Sequence, residues 1–524
     1  MTIEAEQEYA RGRQAHAAGD HGGALSGFLM ALALAPDQRR YRVAALNILG
    51  STAGYTKLPE SVLDALTDCA KDPSLDVQPL AMVVRNLLAH HSRREMWLNT
   101  AIQAAPDQLE AALAGGTFDE LLADSLVQSV LMRAVNISLH LEDILTALRR
   151  HTGLAAAEGR ATCLLTSHSA FFDALCAQAK RTEFAWPVSN EEFAILNRLC
   201  DSSAGRRVLD AYEGTPEPVL DFPDLTPVDD TVSKRVQSQY ACYPYPRWEQ
   251  LAPVESRTYA SFMRMRFPHE AISDRFENEV QALSAGCGTG RGAAALAMSI
   301  SPLTLTAIDL SPASLSFAKR KFENLGLPSA RFGIGDILNL DALDQTFDLI
   351  ECSGVLHHMA DPAAGLRALT TVLRADGIMR IALYSERARA SVVAARRWLS
   401  DLKVSDTPDG VRQARSALRA LPVTHPARGV IDKPEYFILS GLHDLIFNIQ
   451  EHRFTPRQLK VMLDGAGLRL LGFDHANPAV ASAYAKAHPN DPEQVNLDKW
   501  EVFEQNHPDV FAEMFQFWVR PHGV

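Results

Sequence analysis

Cysteine is scarce and scattered along the chain. Cys69, Cys163, Cys176, Cys200, Cys242, Cys287 and Cys352 form no CxxC pair. This excludes the usual zinc spacings and a dense disulfide framework. Long apolar runs are also missing: no stretch of about 18 apolar residues occurs, so no membrane-spanning helix is expected. Basic charge is in deficit, with 63 Asp and Glu against 51 Lys and Arg and a net charge of −12. That balance argues against a broad phosphate-binding surface, so nucleic acid is not expected as a partner. The opening residues, Met-Thr-Ile-Glu-Ala-Glu-Gln-Glu, lack the basic-then-apolar order of a signal peptide. These absences point to a reducing cytoplasm. What is present is ordinary for a folded soluble chain: 47% apolar and 22% charged residues over a length of 524, room for about three domains.

The first 225 or so residues read as helix after helix. Between Glu4 and Pro36 two amphipathic helices flank a turn at Ala18-Gly19-Asp20. Ala24 and Ala31 allow close helix contact, Phe28 supplies a wedge, and Pro36 closes the second helix. Gly12, Gly19, Ala24, Phe28, Ala31 and Pro36 resemble a tetratricopeptide repeat, and Val43 to Asp72 holds a degenerate second unit. From Gln103 to Cys200 the apolar spacing stays near 3.6. The basic run Arg149-Arg150-His151 reads as a helix C-terminus.

Four prolines, Pro216, Pro218, Pro223 and Pro227, lie between Gly214 and Asp230 and disfavour a helix there, which marks a linker. Beyond it, short β-like runs alternate with helices, as in a parallel α/β sheet. Glu279 to Ala285 reads as a strand that enters the loop Gly286-Cys287-Gly288-Thr289-Gly290, and a helix follows over Gly292 to Ile300. Alternate glycines let backbone N–H groups approach a ligand closely at a helix N-terminus. A second strand, Leu303 to Ile308, ends in Asp309, about 20 residues after the loop, where an acid accepts hydrogen bonds from ribose hydroxyls. A third, Ala330 to Ile334, leads to Gly335-Asp336, whose carboxylate can reach an adenine amino group. Phe347 to Ser353 is a fourth and runs into Gly354-Val355-Leu356-His357-His358. Gly377 to Tyr384 is a fifth.

These pieces, in this order and spacing, resemble a class I S-adenosylmethionine-dependent methyltransferase. The resemblance implies a helical domain followed by a Rossmann-like, seven-stranded α/β sheet, with S-adenosylmethionine as cofactor. It implies further strands at Gly467 to Phe473 and Phe511 to Val519, and makes 386–466 a helical insertion that caps the pocket. The expected domains are a helical one over 1–225, a linker and lid over 226–278, and the methyltransferase over 279–524. Cofactor contacts are implied for Ala285, Gly286, Cys287, Gly288, Gly290, Asp309, Leu310, Asp336, Ile337 and Ser353. One position departs from the pattern: the family carries an acid two residues before the first glycine, and here it is Ser284.

The segment Gln239-Tyr240-Ala241-Cys242-Tyr243-Pro244-Tyr245-Pro246-Arg247-Trp248 is dense in aromatics for a chain that is 7% aromatic. It resembles a segment of bacterial proteins that join tetratricopeptide-like helices to a methyltransferase, as does Gln450-Glu451-His452-Arg453-Phe454-Thr455. It reads either as a strap packed on the sheet or as a lid, with Tyr240 or Arg247 reaching the methionine end of the cofactor. His357, His358 and Tyr240 are the candidate catalytic residues. Adjacent histidines are expected to point apart, so one of the pair would act. Tyr243, Tyr245, Tyr384, His443, His452 and Arg453 are candidates for the acceptor pocket. His443, Phe447 and Glu451 are spaced to share a helix face. Cys287 and Cys352 read as small buried fillers. No metal is expected, because the histidines lack acids at ligand spacing.

Three functions fit. The first is methylation of a protein or peptide side chain recruited by the helical domain. The second is methylation of a small molecule, with the helices forming a homodimer or a cap. The third is a scaffold that has lost activity.

Overall fold

The structure is a computed structural model. It describes residues 3–51, 57–199, 203–214, 217–252, 254–475, 478–511 and 514–523. Cys200, residues 52–56 of the second repeat-like stretch, 215–216 of the proline-rich stretch and 512–513 of the last expected strand lie outside them. The chain forms two compact units: residues 1–216, 403–421 and 431–442, and residues 217–402, 422–430 and 443–524. Among the described residues no helix is long and apolar enough to cross a membrane.

The first unit is helical. Its opening helices, Ile3–Ala17 and His21–Leu34, meet where two glycines remove side-chain bulk. A Cβ on Gly27 would stand 2.6 Å from Gly12 N, and one on Gly12 would stand 2.7 Å from the Phe28 ring. Asp20 caps the second helix by accepting from Gly23 N. The core runs through Leu32, Tyr41, Leu66, Leu131, Leu148 and Phe172. The Arg149-Arg150-His151 run is not a helix end. It lies inside the 19-residue helix Leu139–Ala157, where a buried Arg149 Nη2 is 2.9 Å from Glu192 Oε1. Tyr212 donates to the same carboxylate at 2.9 Å. A buried charge keeps its ionised form only with such partners, and the sequence pattern does not show which arginine is inside.

The insertion expected as one cap is divided between the units. Its helix Pro408–Ala420 buries Val411, Ala414 and Leu418 and belongs to the helical unit. There Arg415 reaches across 273 positions of sequence to the buried Glu142.

The second unit carries the sheet. Its strands are β1 (Val280–Ala285), β2 (Leu303–Asp309), β3 (Ala330–Ile334), β4 (Phe347–Ser353), β5 (Leu373–Leu383), β6 (Leu468–Phe473) and β7 (Phe515–Pro521). The order is β3-β2-β1-β4-β5-β7-β6. β1 to β5 are parallel, and β7 runs antiparallel to both β5 and β6. Side chains alternate between faces. Leu283, Ile350, Ile381 and Phe517 pack on one side, and Ala282, Leu349, Ile378 and Trp518 on the other. Each βα turn therefore opens at the carboxyl end of the sheet, where ligands bind in such folds. Cys287 and Cys352 are buried, as expected of fillers.

The stretch expected as a linker is not a free tether. Leu225 N donates to Ile334 O at 2.7 Å, so residues around Asp224 extend the sheet edge beside β3. Gly333 gives Leu225 its space, since a Cβ there would fall 2.3 Å from Leu225 Cγ.

Beyond β6, His475 sits against Phe473 and Trp500. Burial, with Arg266 nearby, pushes its pKa down from 6.5 to about 4. An unfolded histidine takes up a proton near pH 6.5, whereas the folded ring does so only near pH 4. Folding stability is therefore expected to fall as pH drops through that window. The urea midpoint should decrease over it, and His475→Phe should flatten the slope. An unchanged slope in the variant would show that other groups carry the dependence.

Candidate functional site

The carboxyl ends of β1, β2 and β4 converge on the glycine loop. Gly286, Gly288 and Gly290 all adopt positive φ, at 68°, 53° and 81°, a region glycine enters at little cost. The tertiary reasons differ between them. A Cβ on Gly286 would stand 2.6 Å from Val355, and one on Gly290 would stand 2.6 Å from Ala318 Cβ. Packing within the protein therefore requires glycine at these two positions in its own right. A Cβ on Gly288 would meet Tyr245 O first, at 3.3 Å.

Asp309, at the end of β2, accepts from Gly288 N at 2.7 Å through one oxygen and from Ser311 N at 2.8 Å through the other. Burial raises its pKa against the opposing pull of these N–H donors. The carboxylate is thus held in place, and each oxygen keeps a second lone pair for a ribose hydroxyl. Asp336 follows β3 and is buried. Its Oδ1 accepts from Leu338 N at 3.0 Å, while Oδ2 is buried with no hydrogen-bond partner among the described residues. A buried carboxylate oxygen in that condition calls for a donor, and an adenine amino group is one. Thr226 holds the Asp336 backbone from both sides, accepting from its N–H at 2.7 Å and donating to its carbonyl at 2.9 Å. Ala285 ends β1, Ile337 is buried behind Asp336, and Ser353 ends β4 and accepts from Arg380 at 3.3 Å. Cys287 N donates to Ile308 O at 2.8 Å, which pins the loop to β2.

The aromatic segment straps this loop. Thr289 donates to Pro246 O, and Trp248 Nε1 donates to Thr289 O at 2.9 Å. Trp248 is buried, whereas Arg247 is exposed with its guanidinium 5.7 Å from the Phe317 ring centre.

The helix before it, Thr231–Cys242, joins two clusters. On one side Gln237 donates to Leu310 O at 2.7 Å and Ser311 Oγ donates to Tyr240 O at 3.0 Å, at the turn that follows Asp309. On the other, Tyr240 donates to Asp444 Oδ1 at 2.7 Å and Gln239 donates to Asn448 Oδ1 at 3.0 Å. Burial, then Asp444, holds the Tyr240 phenol well above its ordinary pKa of 10, so it stays protonated.

Leu356–His358 is a turn of 3-10 helix. It sets the two imidazoles 4.2 Å apart instead of letting them diverge. His357 is fully buried, stacked on Tyr384 at 3.8 Å, and neither ring nitrogen has a hydrogen-bond partner among the described residues. Burial holds its pKa well below 6.5, so it is a neutral packing ring. His358 Nδ1 lies 2.7 Å from Gln450 O. A carbonyl accepts only, so this nitrogen carries the proton and Nε2 keeps a lone pair. Burial lowers its pKa against the pull of Asp444. Nε2 is 3.5 Å from Asn448 Nδ2, at the outer limit of a hydrogen bond.

The remaining candidates divide. Tyr243 stacks on His443 at 3.8 Å, and Tyr384 carries the Arg389 guanidinium 3.7 Å above its ring. Tyr245 contributes its carbonyl near Gly288. His452 donates its backbone N–H to His357 O at 2.8 Å, and Arg453 donates to the exposed Glu386 at 3.1 Å. The helix carrying His443 ends at Phe447, so Glu451 does not share its face. Glu451 is instead paired with Arg389 at 2.6 Å. Asp444 stands out in the sequence beside His443, His452 and Arg453 as a possible polar wall of the pocket, whereas Gln239 and Asn448 do not stand out as site residues. The spacing of 444 and 448, one turn apart, was the available signal.

Residues 276–415 match the family described as "Methyltransferase domain". An uncharacterised protein of Synechococcus is 29% identical over 266 residues, 48% of this chain and 62% of the relative. The match therefore spans less than two thirds of the relative's length. Among solved structures, PKMT2 from Rickettsia typhi in complex with AdoHcy aligns at 18% identity over 54% of this chain and 55% of that one, with a TM-score of 0.41. An S-adenosylmethionine-dependent methyltransferase from Clostridium acetobutylicum aligns at 25% identity over 27% of this chain and 56% of that one, with a TM-score of 0.22. The sheet order, the glycine loop and the family match agree: the C-terminal part of this chain carries a methyltransferase domain, and its cofactor is S-adenosylmethionine.

Proposed function

We propose that this chain methylates a protein or peptide side chain bearing a removable proton. The observation that carries the reading is the helix Thr231–Cys242. It is tied to the Asp309 turn at Leu310 and Ser311, and it delivers Gln239 and Tyr240 into a buried polar cluster with His358, Asp444 and Asn448. The cofactor supplies an activated methyl group whose sulfonium leaves as a neutral thioether. Asp309 and Asp336 would hold its ribose and adenine. In this reading His358 Nε2 takes the acceptor's proton, and the commitment of the Nδ1 proton to Gln450 O supports it. Tyr240 and Asp444 would orient the acceptor and keep water ordered away from it.

A protein acceptor is supported by the separate helical unit, which has its own core. Helical arrays of this kind present binding surfaces. A small-molecule acceptor is the second reading, favoured by the near-complete burial of His358, Asp444 and Asn448. Isotope-labelled S-adenosylmethionine incubated with the protein and a cell extract separates the two. Label is expected in the protein fraction, and label confined to small molecules overturns the first reading. His358→Gln should lower kcat by about 10²–10⁴-fold and leave cofactor affinity unchanged. An unchanged kcat would remove His358 from the chemistry.

A further inference from the structure

We infer that Glu351, on β4, binds the ammonium of the methionine moiety of S-adenosylmethionine and takes the part that an acid on β1 plays elsewhere in this fold. The inference rests on the cofactor reading above. Position 284, where that acid is expected, is serine, but β1 and β4 are adjacent parallel strands in a register that pairs Ser284 with Glu351. Paired residues of neighbouring strands project from the same face. Ser284 Oγ donates to Glu351 Oε2 at 2.9 Å. The strand pair therefore holds one acid at the same level of the sheet, moved one strand across, with a hydroxyl filling the vacated position.

Gly292 makes room for it. This residue lies in the first turn of the helix Arg291–Ser299, and a Cβ there would stand 2.7 to 2.8 Å from Cδ and both carboxyl oxygens of Glu351. Its φ is not in the left-handed region, so space rather than backbone conformation calls for glycine. The carboxylate is consequently pressed against the N-terminal turn of the helix that the glycine loop opens into.

Its charge is only weakly answered within the protein. Glu351 is 4% exposed. Among the described residues, the nearest cation is Arg380, whose Nη1 is 3.8 Å from Oε1. Arg380 is itself committed to Asp474 at 3.0 Å and to Gln516 at 2.6 Å. A buried carboxylate with one hydroxyl donor and a distant, shared arginine is incompletely satisfied, and a cation in direct contact would complete it. Of the cofactor's groups, the ammonium is the one that meets this need at the β1 and β4 ends.

Calorimetry on the full chain tests this with two ligands, S-adenosylmethionine and its desamino analogue, which lacks only the ammonium. Glu351→Gln keeps the shape and the acceptor for Ser284. It is expected to weaken S-adenosylmethionine about tenfold or more, while the desamino analogue binds variant and wild type alike. Equal weakening of both ligands, or of neither, overturns the proposal. Should Glu351→Gln fail to fold, the transposed double variant Ser284→Glu/Glu351→Ser carries the test. It is expected to prefer the ammonium-bearing ligand as the wild type does, and loss of that preference overturns the proposal. A wild type that binds neither ligand overturns the cofactor reading as well, whereas a wild type that binds both equally overturns only the role of Glu351.

Discussion

Asp309→Ala is expected to weaken S-adenosylmethionine binding by about 1–3 kcal/mol, roughly 5- to 150-fold. Two losses combine in that variant. The ribose hydroxyls lose an ionised acceptor, and Gly288 N and Ser311 N lose the carboxylate that receives them at 2.7 and 2.8 Å. The glycine loop is then tethered to β2 mainly by Cys287 N to Ile308 O. Titration calorimetry measures the affinity directly, and far-UV circular dichroism shows whether the fold survives. An unaltered affinity in a folded variant would mean that the ribose lies elsewhere. Asp309→Asn separates the contributions. Its one remaining carbonyl oxygen can serve one of the two N–H groups, so it should fall between wild type and alanine.

Arg415→Met is expected to destabilise the helical unit by about 3–5 kcal/mol, the cost of leaving a buried charge without its partner. Arg415 donates to Glu142 Oε1 at 2.7 Å and to Tyr436 O at 3.0 Å, and both members of the ion pair are almost fully buried. Glu142 cannot reach water in the variant, and the Tyr436 carbonyl loses a donor. The urea midpoint of the helical signal reads the effect. Adding Glu142→Leu should recover much of the loss, because an apolar pair of similar volume avoids the desolvation cost. A single variant within about 0.5 kcal/mol of wild type, the range of ordinary surface changes, would show that water reaches the pair.

The sheet was legible in the sequence because its signals are local. β3 and β4 match their expected bounds, and β1, β2 and β6 differ by one residue at an end. Each is a short, mostly apolar run closed by glycine or an acid, and such a run marks a strand buried on both faces. β5 begins at Leu373, ahead of the expected Gly377, because its first residues pair with Phe347 across an irregular register. Such pairing belongs to the neighbouring strand. The sites of Asp309 and Asp336 were legible for the same local reason: both stand at the strand ends that βαβ spacing dictates.

The buried polar cluster was less legible, since its members come from 239–240, 357–358, 384 and 444–448, segments that no spacing rule links to one another. The histidine pair shows the cause. Sequence adjacency suggests rings that diverge, yet a single turn of 3-10 helix brings them to 4.2 Å. The glycines show it again. Their recurrence at every second position reads as one device for a ligand, and the further demand for glycine that Val355 makes at Gly286 and Ala318 at Gly290 is visible only in the fold.

By itself, then, the sequence determined the strands and the strand-end acids, which depend on short apolar runs and on residues within one βαβ step, and the resemblance carried by those motifs implied the class of fold and the cofactor. Tertiary structure alone decided which charges are buried and with what partner. It paired Arg415 with Glu142 and drew the proline-rich stretch onto β3. It also set Ser284 beside Glu351, a relation that exists only through strand register. Burial and register are properties of contacts between distant segments, and a buried carboxylate looks the same in sequence as one in water.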